Sequence, residues 1–315
     1  MTQPVNRLFG PLDPAAEAGH DDHPRRKGFF TDTSVCIGCK ACEVACKEWN
    51  AVPEDGMTLS GMSYDNTVGL GASSWRHVAF IEQQTPAAPP ATPAPGASAP
   101  VSLGMPGMAP AGEHLGREKP SFRWLMESDV CKHCTHAACL DVCPTGSLMR
   151  SEFGTVVVQN DICNGCGYCV PACPYGVIER RKGPESDPAV GIAQKCTLCY
   201  DRLKGDLEPA CAKACPTKSI QFGDLDDLRE IAKGRVEMLV EAGVPGAQLY
   251  GNDPDDGVGG TGAFFLLLDQ PEVYGLPPDP VVTTRDLPDM YKKAVLAALT
   301  LLTGSALAFV GRRGR

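Results

Sequence analysis

The chain has 315 residues, enough for one large domain or two small ones, each with its own core. A formal net charge of −9 argues against nucleic-acid binding as its main task, and aromatic content is low at 6%. Sixteen cysteines stand out, but a secreted disulfide scaffold is usually short, and the first residues of this chain hold no apolar run.

Taken in chain order, residues 1–28 read as an N-terminal extension. Its Arg25-Arg26 pair is followed by KGFFTDTSVC rather than an apolar segment, so it reads as solvated charge or charge behind a metal site, not as a twin-arginine signal. The first cysteine group is Cys36, Cys39, Cys42 and Cys46. A β-branched and aromatic strand follows at 77–82, and then 85–112, rich in Pro, Ala and Gly and free of charge, reads as a surface insertion. A second strand is expected at 122–127. The second cysteine group is Cys131, Cys134, Cys139 and Cys143. A strand at 154–159 precedes the third group, Cys163, Cys166, Cys169 and Cys173. The fourth group is Cys196, Cys199, Cys211 and Cys215.

Beyond the cysteines, a strand is predicted at 219–223 and a helix over 224–243. The helix should bury Leu225, Leu228, Ile231, Ala232, Val236, Leu239 and Val240, start at Asp224 and stop at Gly243. A buried strand follows at 264–269. Residues 294–311 carry no charge, with Lys292 and Lys293 before them and Arg312, Arg313 and Arg315 after. As a helix they span about 27 Å, close to the ~30 Å hydrocarbon core of a bilayer, and Gly304 with Ala308 offers a small-residue packing pair. A membrane span is therefore expected, against the alternative of a buried soluble helix. The Arg excess after it weakly favours a cytoplasmic C-terminus.

Four groups of four cysteines with none left over form an internal repeat. The third, CNGCGYCVPACP, has the C-x2-C-x2-C-x3-C-P spacing of a bacterial ferredoxin. Three of its cysteines on one tight loop can reach three corners of an iron–sulfur cubane, with Gly165 and Gly167 letting the loop fold closely. The fourth, expected at a helix start and followed by a proline suited to a first helical position, points to a neighbouring cluster. The first group repeats the spacing. The second widens the middle gap to four residues and the fourth to eleven, and both keep the C-x3-C-P ending. A four-cysteine zinc ribbon needs no such ending, so four [4Fe–4S] clusters are expected in place of zinc. Each oxidised unit carries about −2 with its thiolates, taking the chain to about −17. Lys40, Lys47, Lys132, Lys195, Lys213 and Lys218 inside or beside the motifs balance that charge. His133 and His136 read as supporting or packing residues, because four cysteines already complete that group.

On these motifs, and on YDNTVGLGASSWRHVAF (64–80), QKCTLCYDRL (194–203) and YGLPPDP (274–280), the chain resembles the iron–sulfur (beta) subunit of membrane-bound respiratory formate dehydrogenases. More widely it is similar to the four-cluster subunits of molybdopterin oxidoreductases. The resemblance implies an α+β fold of two ferredoxin-like halves, each holding two [4Fe–4S] clusters, with insertions and a single C-terminal transmembrane helix. One half would be 29–84 with 190–223 and the other 113–189, followed by an extension at 224–288 and the membrane helix with its basic tail at 289–315. It also implies crossed ligand sets: Cys36, Cys39, Cys42 with Cys215; Cys196, Cys199, Cys211 with Cys46; Cys131, Cys134, Cys139 with Cys173; and Cys163, Cys166, Cys169 with Cys143. Cysteine at every position argues for four cubanes and no [3Fe–4S] centre.

The implied role is a non-catalytic wire. Electrons would pass from a molybdopterin (Mo or W) catalytic alpha subunit that oxidises formate to a membrane cytochrome b gamma subunit and quinone. The cluster domain would lie on the extracytoplasmic face, with a cytoplasmic-facing complex as the alternative. Rival readings are the matching subunit of a polysulfide, tetrathionate or sulfoxide reductase or of a hydrogenase, a soluble polyferredoxin, and a zinc-organised interaction module. No P-loop or dinucleotide signature occurs.

Overall fold

The computed structural model describes residues 5–6, 10–11, 13–56, 61, 67–84, 122–184 and 186–312; the expected insertion at 85–112 lies outside them. A four-stranded sheet has the order Ile220–Asp224, Lys27–Asp32, Ala263–Leu267, Gln248–Tyr250. Lys27–Asp32 runs antiparallel to Ile220–Asp224 and parallel to Ala263–Leu267. All five residues of Ala263–Leu267 are buried, as expected of a strand covered on both faces. Side chains alternate across the pleat. Phe30, Phe264 and Leu266 face the helix Leu225–Glu241, with the Phe30 and Phe264 rings stacked at 5.3 Å. Phe29, Phe265 and Leu267 face the other way, into a core shared with Cys42, Cys131, Cys196, Cys211 and Cys215. One side of this sheet is therefore an ordinary apolar core and the other is a wall of the cysteine region.

The strands expected at 77–82 and 122–127 are longer than predicted, Arg76–Gln84 and Phe122–Val130. They pair antiparallel from Arg76↔Val130 to Gln84↔Phe122. Val78, Leu125 and Val130 join the cysteine-lined core. Leu148–Arg150 and Val156–Val158 form a smaller ribbon that packs with Cys169, Ile178 and Ala193 in a second cysteine-bearing core.

Four expectations change. The Leu225–Glu241 helix buries Leu225, Leu228 and Ala232, and Val236 and Leu239 pack beside them, but Ile231 and Val240 are 52% and 47% exposed. The sheet covers a narrower stripe of this helix than the apolar pattern implied. Asp224 stands at its N-cap but makes no side-chain cap bond, because Arg25 and Lys27 engage its carboxylate. In the C-x3-C endings the helix begins at or just before the third cysteine of the second, third and fourth groups, as Ala138–Asp141, Cys169–Ala172 and Ala210–Lys213. The fourth cysteine thus follows the helix instead of starting it. Cys173 is extended (φ −73°, ψ 116°), which the following Pro174 imposes by disfavouring helix in the residue before it. The proline is a helix stop here. Finally, Lys27–Asp32, one of the two inner strands of the main sheet, is not evident from the sequence.

The Arg25-Arg26 pair is built into the fold. Arg25 is exposed and pairs with Asp224 and Asp227. Arg26 is half-buried; its Nη1 donates to Thr135 Oγ1 (2.9 Å) and its Nη2 to the His133 carbonyl (3.0 Å). Burial, then the neighbouring Arg150 and Arg229 charges, lowers its pKa to about 9. At the other end, the helix Leu287–Arg312 contains a 20-residue stretch, Met290–Phe309, with mean hydropathy 1.4 and none of its most apolar window buried. It is long and apolar enough to cross a membrane, and it is not a core helix of the cluster-bearing body.

Candidate metal centres

All sixteen thiols are free, and the fold gathers eight of them around two cavities, four to each. Cys36, Cys39, Cys42 and Cys215 line a cavity together with Lys40, Val78, Ser128, Thr217 and Ser219. Cys131, Cys134, Cys139 and Cys173 line another, with Lys132, His133, Tyr175 and Lys195. Cys46 comes beside the last motif: Asn50 Nδ2 lies 3.7 Å from Cys46 Sγ and 3.9 Å from Cys199 Sγ. Burial and the charge of Cys211, then Cys199, push the Cys46 thiol up to about 12. Cys196 is raised by burial and then by Cys46, Cys131 and Cys211. Cys169 is raised to about 11 by burial, with Cys163, Cys143 and Cys166 adding to it.

The chemistry of this donor set fits iron–sulfur clusters. Buried, mutually repelling thiols hold their protons in a bare protein, and a coordinated metal removes them. The surroundings are already arranged for negative sulfur. Leu198 N–H donates to Cys196 Sγ at 3.3 Å. At Cys143 burial raises the pKa, but hydrogen bonds from Ser147, the Leu148 backbone and Thr145 outweigh it and bring the thiol down to about 6. A single zinc ion would need its four sulfurs about 3.8 Å apart, from Zn–S bonds of ~2.3 Å. Among the described residues no three His, Cys, Asp or Glu side chains converge on one ion. The thiols surround spaces rather than points.

The lysines divide by burial. Lys132 and Lys195 are 1% exposed. Lys132 donates to Asp129 and to the Val130 carbonyl and lies over the Phe265 and Tyr175 rings. Lys195 donates to the carbonyls of Val156 and Cys196. Both face the second cavity. Lys40 pairs with Glu43 at 3.2 Å, and Lys47 donates to the Ser73 carbonyl at 2.7 Å. The neutral His133 ring accepts from Val156 N–H through Nδ1, so its Nε2 carries the proton, and burial first, then Lys195 and Arg150, keeps it uncharged. His136 packs against Gly259 in the loop after Tyr250.

Sequence reasoning missed three polar residues at these sites. Asn50 bridges two cysteine motifs. Ser128 Oγ lies 3.2 Å from Cys42 Sγ. Arg76 is fully buried, and the charges acting most strongly on it are the thiols of Cys211, Cys42, Cys196 and Cys46. A charged residue opening the strand that the sequence predicts around Val78 was the available signal.

Two family models, both described as a 4Fe-4S dicluster domain, match residues 35–147 and 122–225. The formate dehydrogenase iron–sulfur subunit of Haemophilus influenzae is 36% identical over 305 residues, covering 95% of this chain and 83% of that protein. The protein belongs to the formate dehydrogenase iron–sulfur subunit family. Similarity within that family includes the nitrate-inducible formate dehydrogenase iron–sulfur subunit of Escherichia coli, 35% identical over 267 residues, 84% of this chain and 76% of the relative. It extends to the B subunit of the anaerobic dimethyl sulfoxide reductase of Escherichia coli, 30% identical over 203 residues, 64% of this chain and 76% of the relative. As an iron–sulfur subunit of this family the protein transfers electrons through [4Fe–4S] clusters.

Proposed function

We propose that this protein is a non-catalytic wire. It would hold four [4Fe–4S] clusters and carry electrons from a molybdopterin (Mo or W) subunit oxidising formate to a membrane cytochrome b and quinone. Each bound cluster supplies a one-electron site whose potential follows local charge, hydrogen bonds and burial. The observation that carries the reading is the pair of cavities each lined by four cysteines, in a chain that matches a formate dehydrogenase subunit over 95% of its length. The ligand sets we assign are Cys36/Cys39/Cys42/Cys215, Cys46/Cys196/Cys199/Cys211, Cys131/Cys134/Cys139/Cys173 and Cys143/Cys163/Cys166/Cys169.

Burial supports an order along the wire. Cys39 and Cys166 are exposed, whereas every member of the Cys46 set is buried. Cys131 and Cys196 share one buried core, which supports placing the two inner sets next to each other. Electrons would enter and leave at the Cys39 and Cys166 sets, where partners can approach. Anchoring by Met290–Phe309, with the cluster body on the extracytoplasmic face, completes the proposal.

The test is iron and acid-labile sulfide on the anaerobically purified complex, followed by addition of formate. About sixteen of each per chain, with EPR signals of reduced clusters growing on formate, support the reading. The match to a dimethyl sulfoxide reductase subunit favours one second reading, in which electrons flow outward to a sulfoxide. Dithionite-reduced clusters that dimethyl sulfoxide reoxidises, and that formate does not reduce, would replace formate dehydrogenase with that alternative.

A further inference from the structure

Arg76 opens the Arg76–Gln84 strand and is 1% exposed. Its Nη1 donates to Ser128 Oγ at 3.0 Å and to the Ser128 carbonyl at 3.1 Å, and its guanidinium stacks over Phe29 at 5.0 Å. Its Nε and Nη2 are buried with no hydrogen-bond partner, and among the described residues no carboxylate pairs with it. A buried guanidinium left this way costs several kcal/mol in a bare protein. Phe29, beneath the guanidinium, shares a buried core with Cys42, Cys196 and Cys211, and the Cys46 charge also acts on Arg76. Ser128 continues the contact: its oxygen accepts from Arg76, and its hydroxyl hydrogen is left to point at Cys42 Sγ, 3.2 Å away.

We infer that Arg76 is the fixed positive charge that raises the reduction potentials of the two clusters assigned to the Cys36 and Cys46 sets, and that Ser128 carries part of that effect to the first. The inference rests on the ligand sets proposed above. Reduction adds one electron, and so one negative charge, to a cluster. A cation that is already buried, and held by Ser128 and Phe29, favours the reduced state without rearrangement. The effect spans two clusters because thiols of both assigned sets share the core against which the guanidinium packs. Arg26 and Arg150 instead donate to carbonyls beside the second motif. Arg76 is a tuning residue for electron transfer and binds no iron.

The test compares the unsubstituted complex with R76M, R76K and S128A by iron and sulfide content and by EPR-monitored redox titration. In R76M with full iron, two of the four titrating centres should become about tenfold harder to reduce, equivalent to about 59 mV for one electron, while the other two move less than twofold. R76K keeps the charge and should stay within about threefold of the unsubstituted protein. S128A should shift one centre by about threefold and leave its neighbour in place. Full iron with no centre shifted in R76M, or all four shifted equally, overturns the inference. Should R76M lose iron, S128A decides, and an unmoved set of four potentials there overturns it. A deficit of iron in the unsubstituted complex marks failure of the ligand assignment itself, and the inference falls with it.

Discussion

Gly165 and Gly176 form a matched pair for testing how tightly a cluster loop is built. Both have left-handed backbone, φ +71° and +64°. A Cβ on Gly176 would meet nothing within 4 Å, whereas one on Gly165 would lie 2.8 Å from the Gly191 carbonyl oxygen. Alanine at either site loses about 1–2 kcal/mol to its conformation and recovers up to about 1 kcal/mol from the stiffer unfolded chain. G176A should therefore cost about 1 kcal/mol. G165A adds a collision with backbone that cannot swing aside, about 1–3 kcal/mol more by the usual cost of overpacking. Because Gly165 lies between Cys163 and Cys166, relief of that collision moves the ligands. We expect G176A to melt about 2 °C lower with full iron, and G165A to melt further down and lose about a quarter of its iron. Thermal melts under anaerobic conditions, with iron per chain, read both effects. Equal behaviour of the two variants would refute the claim that the Gly191 contact constrains the loop.

Further outcomes follow from the packing. F265A removes a fully buried ring that also lies under Lys132, and should cost about 3–5 kcal/mol in a chemical or thermal melt. R26Q loses charged hydrogen bonds to Thr135 and the His133 carbonyl, worth about 1.5–3 kcal/mol each. It should expose the segment from Asp13 to Arg25 to limited proteolysis, and R25A, changed at an exposed pair, should not. Removing iron with a chelator under reducing conditions should cause loss of tertiary signal in near-UV circular dichroism, because the crowded buried thiols lose the cations that offset them.

How much of this was readable in the sequence depended on distance along the chain. The cysteine motifs are local, since three ligands lie on one loop, and their spacing carried the chemistry. The strands around Val78, Leu125 and Val157 were readable from β-branched and aromatic runs between turns. The Lys27–Asp32 strand was not, because KGFFTD is short and unalternating and its parallel partner, Ala263–Leu267, lies more than two hundred residues away. Arg76 was equally hidden. Sequence marks it as a charge at a strand end, where solvent is the usual neighbour, and only the pairing of Arg76 with Val130 turns it inward. Ile231 and Val240 erred the other way: periodicity finds an apolar stripe but not how much of it the sheet covers.

The terminal helix completes the physical picture through its hydroxyls. Thr300 Oγ1 donates to the Leu296 carbonyl at 2.8 Å, and Thr303 Oγ1 to the Leu299 carbonyl at 2.9 Å. In water these bonds gain little, because solvent would serve as well. In hydrocarbon they remove a polar group that would otherwise cost several kcal/mol. Around them Leu296, Leu299, Leu301, Leu302, Leu307 and Phe309 are all more than half exposed, pointing in every direction about the axis. Such a helix has no polar face to turn toward water, which is the property a membrane span requires. A protein shortened to end before Leu287 should keep its iron and partition into the aqueous phase of a detergent phase separation, while the full chain follows the detergent. If both partition alike, the helix is not an anchor.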